Sequence, residues 1–438
     1  MNHIVEVERM AYSADAIGHL SEGKTVFIEG GVPGDTVEVV LTEEKPSFAR
    51  GKVVRVVEAS PDRIPPESPV DYACGTAPWQ CMRYEAQLSA KRENVVGALV
   101  HTAHLEVPLA EELVRACEPS KRTWGYRNKL EMATGVDAAG RFELGFYREG
   151  THEFASADSS HLAHKQIEKA PKALRGAIRY AQGNQELGIF RVGVRHSLVT
   201  GELEVALWTK PGSFPRGLFA KTLSTAVKAT SVVRVLADPG KARKVKGVEI
   251  LDGRGYWRER IGDVQFSTQA PSFFQVNTAQ AGKLVNYVLE GLGELDGAYV
   301  ADLYAGGGTF SVPLALAGAD VVAVESAKSS VRDLRFNANS NGVDIDVVGG
   351  DAAHELALIE ELDALVVDPP RAGLADGVVE DIASTNAAVV AYVSCDPATW
   401  ARDVMRFESN GYRLRSAQPV DMFPQTYHVE IVSFFDRA

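Results

Sequence analysis

From Ile4 to Val57 apolar and polar residues alternate in short runs, IVEVERM, TVFIEG, DTVEVVLTEE and ARGKVVRVVEA, broken by turns such as GGVPGD. Alternation with a period of two suits strands with one buried face, so a small antiparallel barrel is predicted over residues 1–58. The proline-rich SPDRIPPESPV, Ser60 to Val70, cannot hold regular structure and reads as a linker. Apolar spacing in EAQLSAKRENVVGALV predicts a helix over about 85–100. Strand-like pieces (YRNKLEMATG, FELGFYREG, FRVGVRHSL, ELEVALWTK) then mix with helical ones (HKQIEKAPKALRGAIRYAQ, GLFAKTLSTAVKA), which makes residues 59–270 a central α+β region. From about residue 271 helices alternate with fully apolar strands: KLVNYVLEGLG, YVADLYAG, VVAVES, SVRDLRFNANSNG, ALVVDPP, VVAYVSCD, ARDVMRFESNG. Strand, glycine loop, helix, strand is the order of a doubly wound, Rossmann-like α/β domain, predicted over 271–438.

Length and charge narrow the picture. At 438 residues the chain exceeds what one hydrophobic core usually supports, in keeping with several domains. A formal net charge of -12 rules out non-specific coating of nucleic acid, so any RNA site must be a local basic patch. Four scattered cysteines, Cys74, Cys81, Cys117 and Cys395, suggest a reducing compartment rather than a disulfide framework. The start MNHIVEVERM lacks a signal-peptide pattern, and no apolar run reaches the roughly 20 residues of a membrane helix. A cytoplasmic monomer with no membrane association is expected.

Four local patterns carry chemistry. In YVADLYAGGGTFSVPLALAGADVVAVES the strand ending at Asp302 runs into Gly306, Gly307 and Gly308, and Glu325 closes the next strand. Glycines let a ligand approach the backbone, and a second-strand carboxylate accepts from ribose hydroxyls. The spacing departs from G-x-G-x-x-G, which points away from a dinucleotide and toward a methyl donor without pyrophosphate. Second, LVVDPPR delivers Asp368 at the carboxyl end of an apolar strand, the edge where α/β sheets bind ligands. Third, VVAYVSCDPATWARD puts Cys395 between a strand and a helix. A strand-end cysteine is most often a small buried hydrophobe, yet a nearby helix N-terminus lowers a thiol's pKa, and Asp368 emerges at the same kind of edge. Fourth, Glu430 interrupts the apolar YHVEIVSFF, either as an edge-strand carboxylate facing solvent or as a partly desolvated proton acceptor.

PSFFQVN, DLYAGGGTFSVPLA, VVAVE, VVDPPRAGL, YVSCDPATWARD and HVE, in that order, resemble the RNA uridine-5-methyltransferases that act on ribosomal and transfer RNA. The first barrel resembles the TRAM domain, an OB-like RNA-binding module. The resemblance implies S-adenosylmethionine as methyl donor, Gln275, Tyr304, Gly306, Glu325 and Asp368 as donor-binding residues, Cys395 as nucleophile and Glu430 as base. It places Phe273 near the target base and suggests that the helix around 85–100 packs on the catalytic domain. RNA is the implied partner, with 23S ribosomal RNA favoured over transfer RNA by the barrel and the chain length. Arg127 and Lys129, with Lys121, Arg122, Trp124 and Tyr126, form a candidate RNA patch, and KARKVKG (Lys241 to Gly247) is a second basic run read first as a solvated loop. Some barrel-bearing relatives ligate a [4Fe-4S] cluster through four cysteines. Only Cys74 and Cys81 fall in the matching region here, so no cluster is expected.

Three other activities compete. Amino-group methyltransferases also carry a (D/N)PP sequence but follow it with an aromatic, where this chain has Arg371. Cytosine-5 enzymes would carry a cysteine beside the motif's proline. An RNA-binding or folding factor without turnover would have no use for Cys395 and Glu430.

Overall fold

The computed structural model describes residues 2–148, 151, 153–240, 244–359 and 361–438. The chain forms two compact units, one from Met1–Thr123, Pro369–Ala383 and Ala391–Ala438, the other from Trp124–Asp368 and Ser384–Val390. The linear boundaries read from the sequence are therefore not the boundaries of compactness. The first unit gathers the N-terminal quarter of the chain and its C-terminal tail.

In the first unit the alternating runs become β1 (Asn2–Met10), β2 (Ala16–His19), β3 (Thr25–Glu29), β4 (Thr36–Glu44) and β5 (Phe48–Glu58), closed in the order β1-β2-β3-β5-β4. Val5, Val7, Val26, Ile28, Val37 and Val39 point inward, as the alternation predicts. The short β2, with its glycine, gave no period-two signal. A Cβ at Gly51 would lie 2.3 Å from Val39 Cγ1, so closure of the barrel there requires glycine. The barrel's core continues beyond its own strands to Trp79, Met82 and Ala90, with half-buried Tyr427 against it.

The proline-rich segment is irregular as far as Ser68, but contrary to expectation Pro69 and Val70 open a short helix, Pro69–Ala73, capped by Ser68, and the irregular part is not a loose linker. Buried Asp35 accepts from Ser60 N at 2.9 Å and from the Arg63 guanidinium at 2.6 Å, and Arg63 also donates to the Gly30 carbonyl at 2.7 Å. Tertiary hydrogen bonds supply what secondary structure cannot.

The second unit opens with a largely antiparallel sheet. Its strands are β6 (Lys129–Val136), β7 (Phe142–Tyr147), β8 (Phe154–Ser156), β9 (Ile189–His196), β10 (Leu203–Thr209), β11 (Ser231–Leu236) and β12 (Gly247–Gly253), ordered β12-β11-β10-β9-β6-β7-β8. Helices Ala170–Gln182 and Arg216–Val227 bury Leu174, Ile178, Phe219 and Leu223 against Val192, Val194, Val205 and Leu207. A hairpin, β13 (Trp257–Ile261) and β14 (Val264–Thr268), leads to helix Thr278–Leu292.

Next come β15 (Tyr299–Leu303), β16 (Asp320–Glu325), β17 (Asp346–Gly349) and β18 (Ala364–Val367), paired in parallel in the order β17-β16-β15-β18. The chain works outward from β15 to β17 and returns to β15's other side. That reversal is a topological switch point, where doubly wound sheets open a ligand crevice at the strands' carboxyl ends.

The chain then supplies β19 (Val389–Ser394), helix Pro397–Ser409, β20 (Tyr412–Val420) and β21 (Glu430–Arg437). Within the first unit β21 lies between β19 and β20 and pairs antiparallel with β20. Helix Tyr84–His101 packs there against helix Pro397–Ser409 and β20, as the resemblance implied for the helix around 85–100.

Candidate functional site

In the second unit β15 ends in a turn that side-chain sterics disfavour. Tyr304 has φ +62°, and Gly306 and Gly308 follow at +57° and +91°. A tyrosine held in the left-handed region must be over-determined by its surroundings, and such strain gathers at ligand sites. A Cβ at Gly306 would meet no atom within 4 Å, so the loop borders open space there. Glu325, at the end of β16, accepts from Gly306 N at 2.9 Å through one oxygen and from Ala327 N at 2.6 Å through the other. The backbone thus aims the carboxylate while leaving lone pairs for a diol.

Asp302 was not singled out from the sequence as a site residue. It is fully buried; one carboxyl oxygen takes the Ser311 hydroxyl and the other has no partner. Desolvation, opposed by Ser311 and reinforced by Glu325, pushes its pKa up to about 7. Asp368 follows β18 and keeps part of its surface open, yet it lies so deep among protein atoms that burial, then the Asp302 charge, raises its pKa to about 7. The available signal was an acid inside an otherwise apolar parallel strand. An unpaired buried oxygen calls for a donor, and the adenosyl and amino acid parts of a methyl donor carry hydroxyl and ammonium groups. The glycine loop, Glu325 and these two acids therefore fit S-adenosylmethionine.

Gln275 is buried, and its backbone carbonyl takes Asn128 Nδ2 at 2.8 Å. Phe273, two residues earlier, is 64 % exposed. The candidate RNA residues fare unevenly. Tyr126 is buried rather than free to stack. Lys129 pairs with Glu131 at 2.7 Å, and burial together with Arg195 lowers its pKa to about 8, so it is no ordinary phosphate contact. The Arg127 backbone bonds Leu162 and His164, and its Nε is buried without a partner. Lys241, Ala242 and Arg243 of the second basic run lie outside the described residues.

In the first unit half-buried Cys395 occupies the turn between β19 and helix Pro397–Ser409. The helix starts there because Asp396 caps it, accepting from Ala398 N and Thr399 N at 3.0 Å each, with Pro397 in the first turn. Glu430 heads β21 and is 5 % exposed. The edge-strand alternative for Glu430 is thereby corrected, because β20 covers the side of β21 that would otherwise face solvent. Around these residues sits Tyr12, another residue that sequence reasoning missed. Its hydroxyl donates to the Cys395 carbonyl at 2.9 Å. Burial raises its pKa, and the charges of Asp396, Glu430 and Cys395 raise it further against Arg371, so all four groups act on one phenol. A lone tyrosine in a barrel turn carries no sequence pattern that would have flagged it.

Cys74 is buried, Cys81 is half-buried with its pKa raised by desolvation, and burial pushes the Cys117 thiol up to about 12. Among the described residues no group of three or more His, Cys, Asp or Glu is arranged to hold a metal ion.

A parallel sheet with a glycine loop and ribose acid, joined in one chain to a capped cysteine turn and a small barrel, defines a Rossmann-like, S-adenosylmethionine-dependent methyltransferase. The family described as tRNA (Uracil-5-)-methyltransferase matches residues 258–361 and 359–438, and the TRAM domain matches residues 4–54. An uncharacterized RNA methyltransferase of Gloeobacter violaceus is 33% identical over 99% of this chain and 96% of its own, and one of Thermosynechococcus vestitus is 33% identical over 99% and 98%. Among solved structures, the tRNA (uracil-54, C5)-methyltransferase of Pyrococcus abyssi in complex with S-adenosyl-L-homocysteine is 26% identical and covers 98% of this chain and 99% of its own, with a TM-score of 0.75. The chain belongs to the RNA uracil-5-methyltransferase family, and its N-terminal barrel is a TRAM domain.

Proposed function

We propose that this enzyme methylates carbon 5 of a uridine through a covalent adduct of Cys395 at carbon 6, with Glu430 removing the carbon 5 proton. Carbon 5 of uracil is too weak a nucleophile to attack a methyl sulfonium unaided. Addition of the Cys395 thiolate to carbon 6 places an enolate in the ring and makes carbon 5 nucleophilic. S-adenosylmethionine, held by Gln275, Tyr304, Gly306, Glu325 and Asp368 with Asp302, supplies the methyl group. Glu430 then takes the remaining proton from carbon 5, the electron pair re-forms the 5,6 double bond, and the thiolate leaves. The observation that carries this reading is that Cys395 follows β19 and Glu430 heads the neighbouring β21, with Tyr12 bonding the Cys395 carbonyl and packing on Tyr427 just before Glu430. Exposed Phe273 suits stacking on an unstacked base.

For the RNA, the barrel and chain length supported 23S ribosomal RNA. The P. abyssi tRNA enzyme matches this chain along almost its whole length, barrel included. Those features therefore serve transfer RNA equally, and a uridine of transfer RNA stands as the second reading on that likeness. No described helix is long and apolar enough to cross a membrane, and an RNA substrate suits a place in the cytoplasm.

Unmodified transcripts of 23S ribosomal RNA and of transfer RNA, incubated with labelled donor, separate the substrates. Cys395→Ala should abolish methyl transfer on whichever is used while donor binding persists. A transcript carrying 5-fluorouridine should give a denaturation-resistant complex with the wild type, because fluorine cannot leave as a cation. Full activity in Cys395→Ala, or a complex that dissolves in denaturant, would remove the covalent mechanism.

A further inference from the structure

Tyr12 belongs to the barrel by sequence and to the cysteine turn by contact. It follows β1 in a tight turn, Ala11 to Asp15, that the rest of the first unit holds rigidly. Ala11 N donates to Asp15 O at 3.0 Å, Asp15 N to Ser13 Oγ at 3.1 Å, and the buried Trp79 indole N–H to Ser13 O at 3.0 Å. The hydroxyl of Tyr12 reaches the Cys395 carbonyl at 2.9 Å. Its ring stands edge-on to Tyr427, centroids 5.3 Å apart at 86°, and Tyr427 in turn lies on His428 at 4.1 Å. Tyr427 and His428 lead directly into Glu430.

We propose that Tyr12 is a positioning residue: the TRAM barrel uses it to fix the peptide after Cys395 and to brace the segment entering Glu430. The proposal rests on the reading of Cys395 as nucleophile. Physically, the peptide joining Cys395 to Asp396 lies where the strand ends and the helix cap begins. Asp396 ties its far side to the helix, and on the near side the Tyr12 hydroxyl holds the Cys395 carbonyl. That hydrogen bond restrains the peptide plane next to the nucleophile and limits how far the turn carrying Cys395 can shift. The same donor neutralises the negative end of a carbonyl next to a forming thiolate. The hydroxyl remains a donor throughout the working range, because burial and three neighbouring acidic groups all oppose its ionisation. The barrel is thus built into the nucleophile's support in addition to any RNA it grips.

Tyr12→Phe tests this in the full chain, since it removes the hydroxyl and keeps the ring on Tyr427. Wild type, Tyr12→Phe and Cys395→Ala are compared on the unmodified and 5-fluorouridine transcripts of 23S ribosomal RNA and transfer RNA. In parallel the rate of Cys395 alkylation by iodoacetamide is followed by peptide mass spectrometry without RNA, and thermal melting confirms folding. The expected result is a kcat and an adduct-formation rate roughly 10-fold to 100-fold lower in Tyr12→Phe. KM for RNA should stay near the wild-type value, and Cys395 should be alkylated more slowly. Wild-type adduct and alkylation rates in Tyr12→Phe, with none in Cys395→Ala, would overturn the positioning role and leave the nucleophile standing. A raised KM with unchanged kcat would make Tyr12 an RNA contact instead. An adduct in Cys395→Ala would overturn the nucleophile, and the Tyr12 role with it. If Tyr12→Phe melts early, Tyr427→Phe, which retains the Tyr12 hydroxyl, must keep the wild-type alkylation rate for the proposal to stand. Should neither transcript be methylated, the alkylation rates alone decide.

Discussion

Single residues carry the sharpest consequences. Glu430 is 5 % exposed at the head of an interior strand, so Glu430→Gln keeps the shape of the site and removes the proposed proton acceptor. In the proposed mechanism thiolate addition and methyl transfer precede proton removal. The mutant should therefore accumulate methylated RNA covalently joined to protein, seen on denaturing gels with radiolabelled donor. A mutant that is slow but releases its product freely would assign the base to another group. Asp302 offers a test through pH. Its folded pKa near 7 lies above the unfolded value of 3.8, so between these values the folded chain holds a proton that the unfolded chain has lost. That contribution to stability is complete below about pH 4 and disappears as pH rises through about 7. Asp302→Asn should flatten this part of the stability curve in urea melts across the same range. An unchanged slope would show that Asp302 ionises normally.

At the scale of elements, the segment that delivers Glu430 is strapped to helix Tyr84–His101. Lys91 and Asp421 form an ion pair with both side chains fully buried, Lys91 also donates to the Phe423 carbonyl at 3.0 Å, and the Tyr84 hydroxyl donates to Asp421 at 2.7 Å. Gln87 and Gln425 exchange further hydrogen bonds at 2.9 Å. Removing one partner of a buried pair strands a charge, and Lys91→Met should cost about 3–5 kcal/mol of unfolding free energy. Adding Asp421→Leu should recover much of that loss, because a buried pair replaced by packed apolar groups is often neutral. A double mutant no more stable than Lys91→Met would mean that Asp421 matters through Tyr84 and not through Lys91.

At the scale of the molecule, the barrel is not a detachable module. Trp79, Met82 and Ala90 lie outside its strands and complete its core, and Ser60 and Arg63 are bound to its buried Asp35. Deleting residues 1–57 would expose Trp79 and Met82, at about 1.5–3 kcal/mol per large apolar side chain, and would leave Arg63 without its carboxylate. The truncated chain should be poorly soluble and lose its cooperative melt. Melting like the full chain would show that the barrel's core is its own.

The sequence by itself determined the elements and the order of the chemistry. Period-two runs marked β1, β3, β4 and β5, apolar strands followed by glycines or prolines marked the parallel sheet, Gly306, Glu325, Asp368 and Cys395 stood out as polar or flexible residues where apolar strands end, and Glu430 as a charge interrupting an apolar run. Such signals are local, and local sterics and burial act on neighbours along the chain. Only tertiary structure decided the partition into two units, the burial of Glu430 on an interior strand, the ion pair of Lys129 with Glu131, the buried unpartnered oxygen of Asp302 and the hydrogen bond from Tyr12 to Cys395. Each of these depends on what lies opposite a side chain across space. Tyr12 and Cys395 are 383 residues apart, and no periodicity connects positions whose relation is one hydrogen bond made when the chain's two ends fold together.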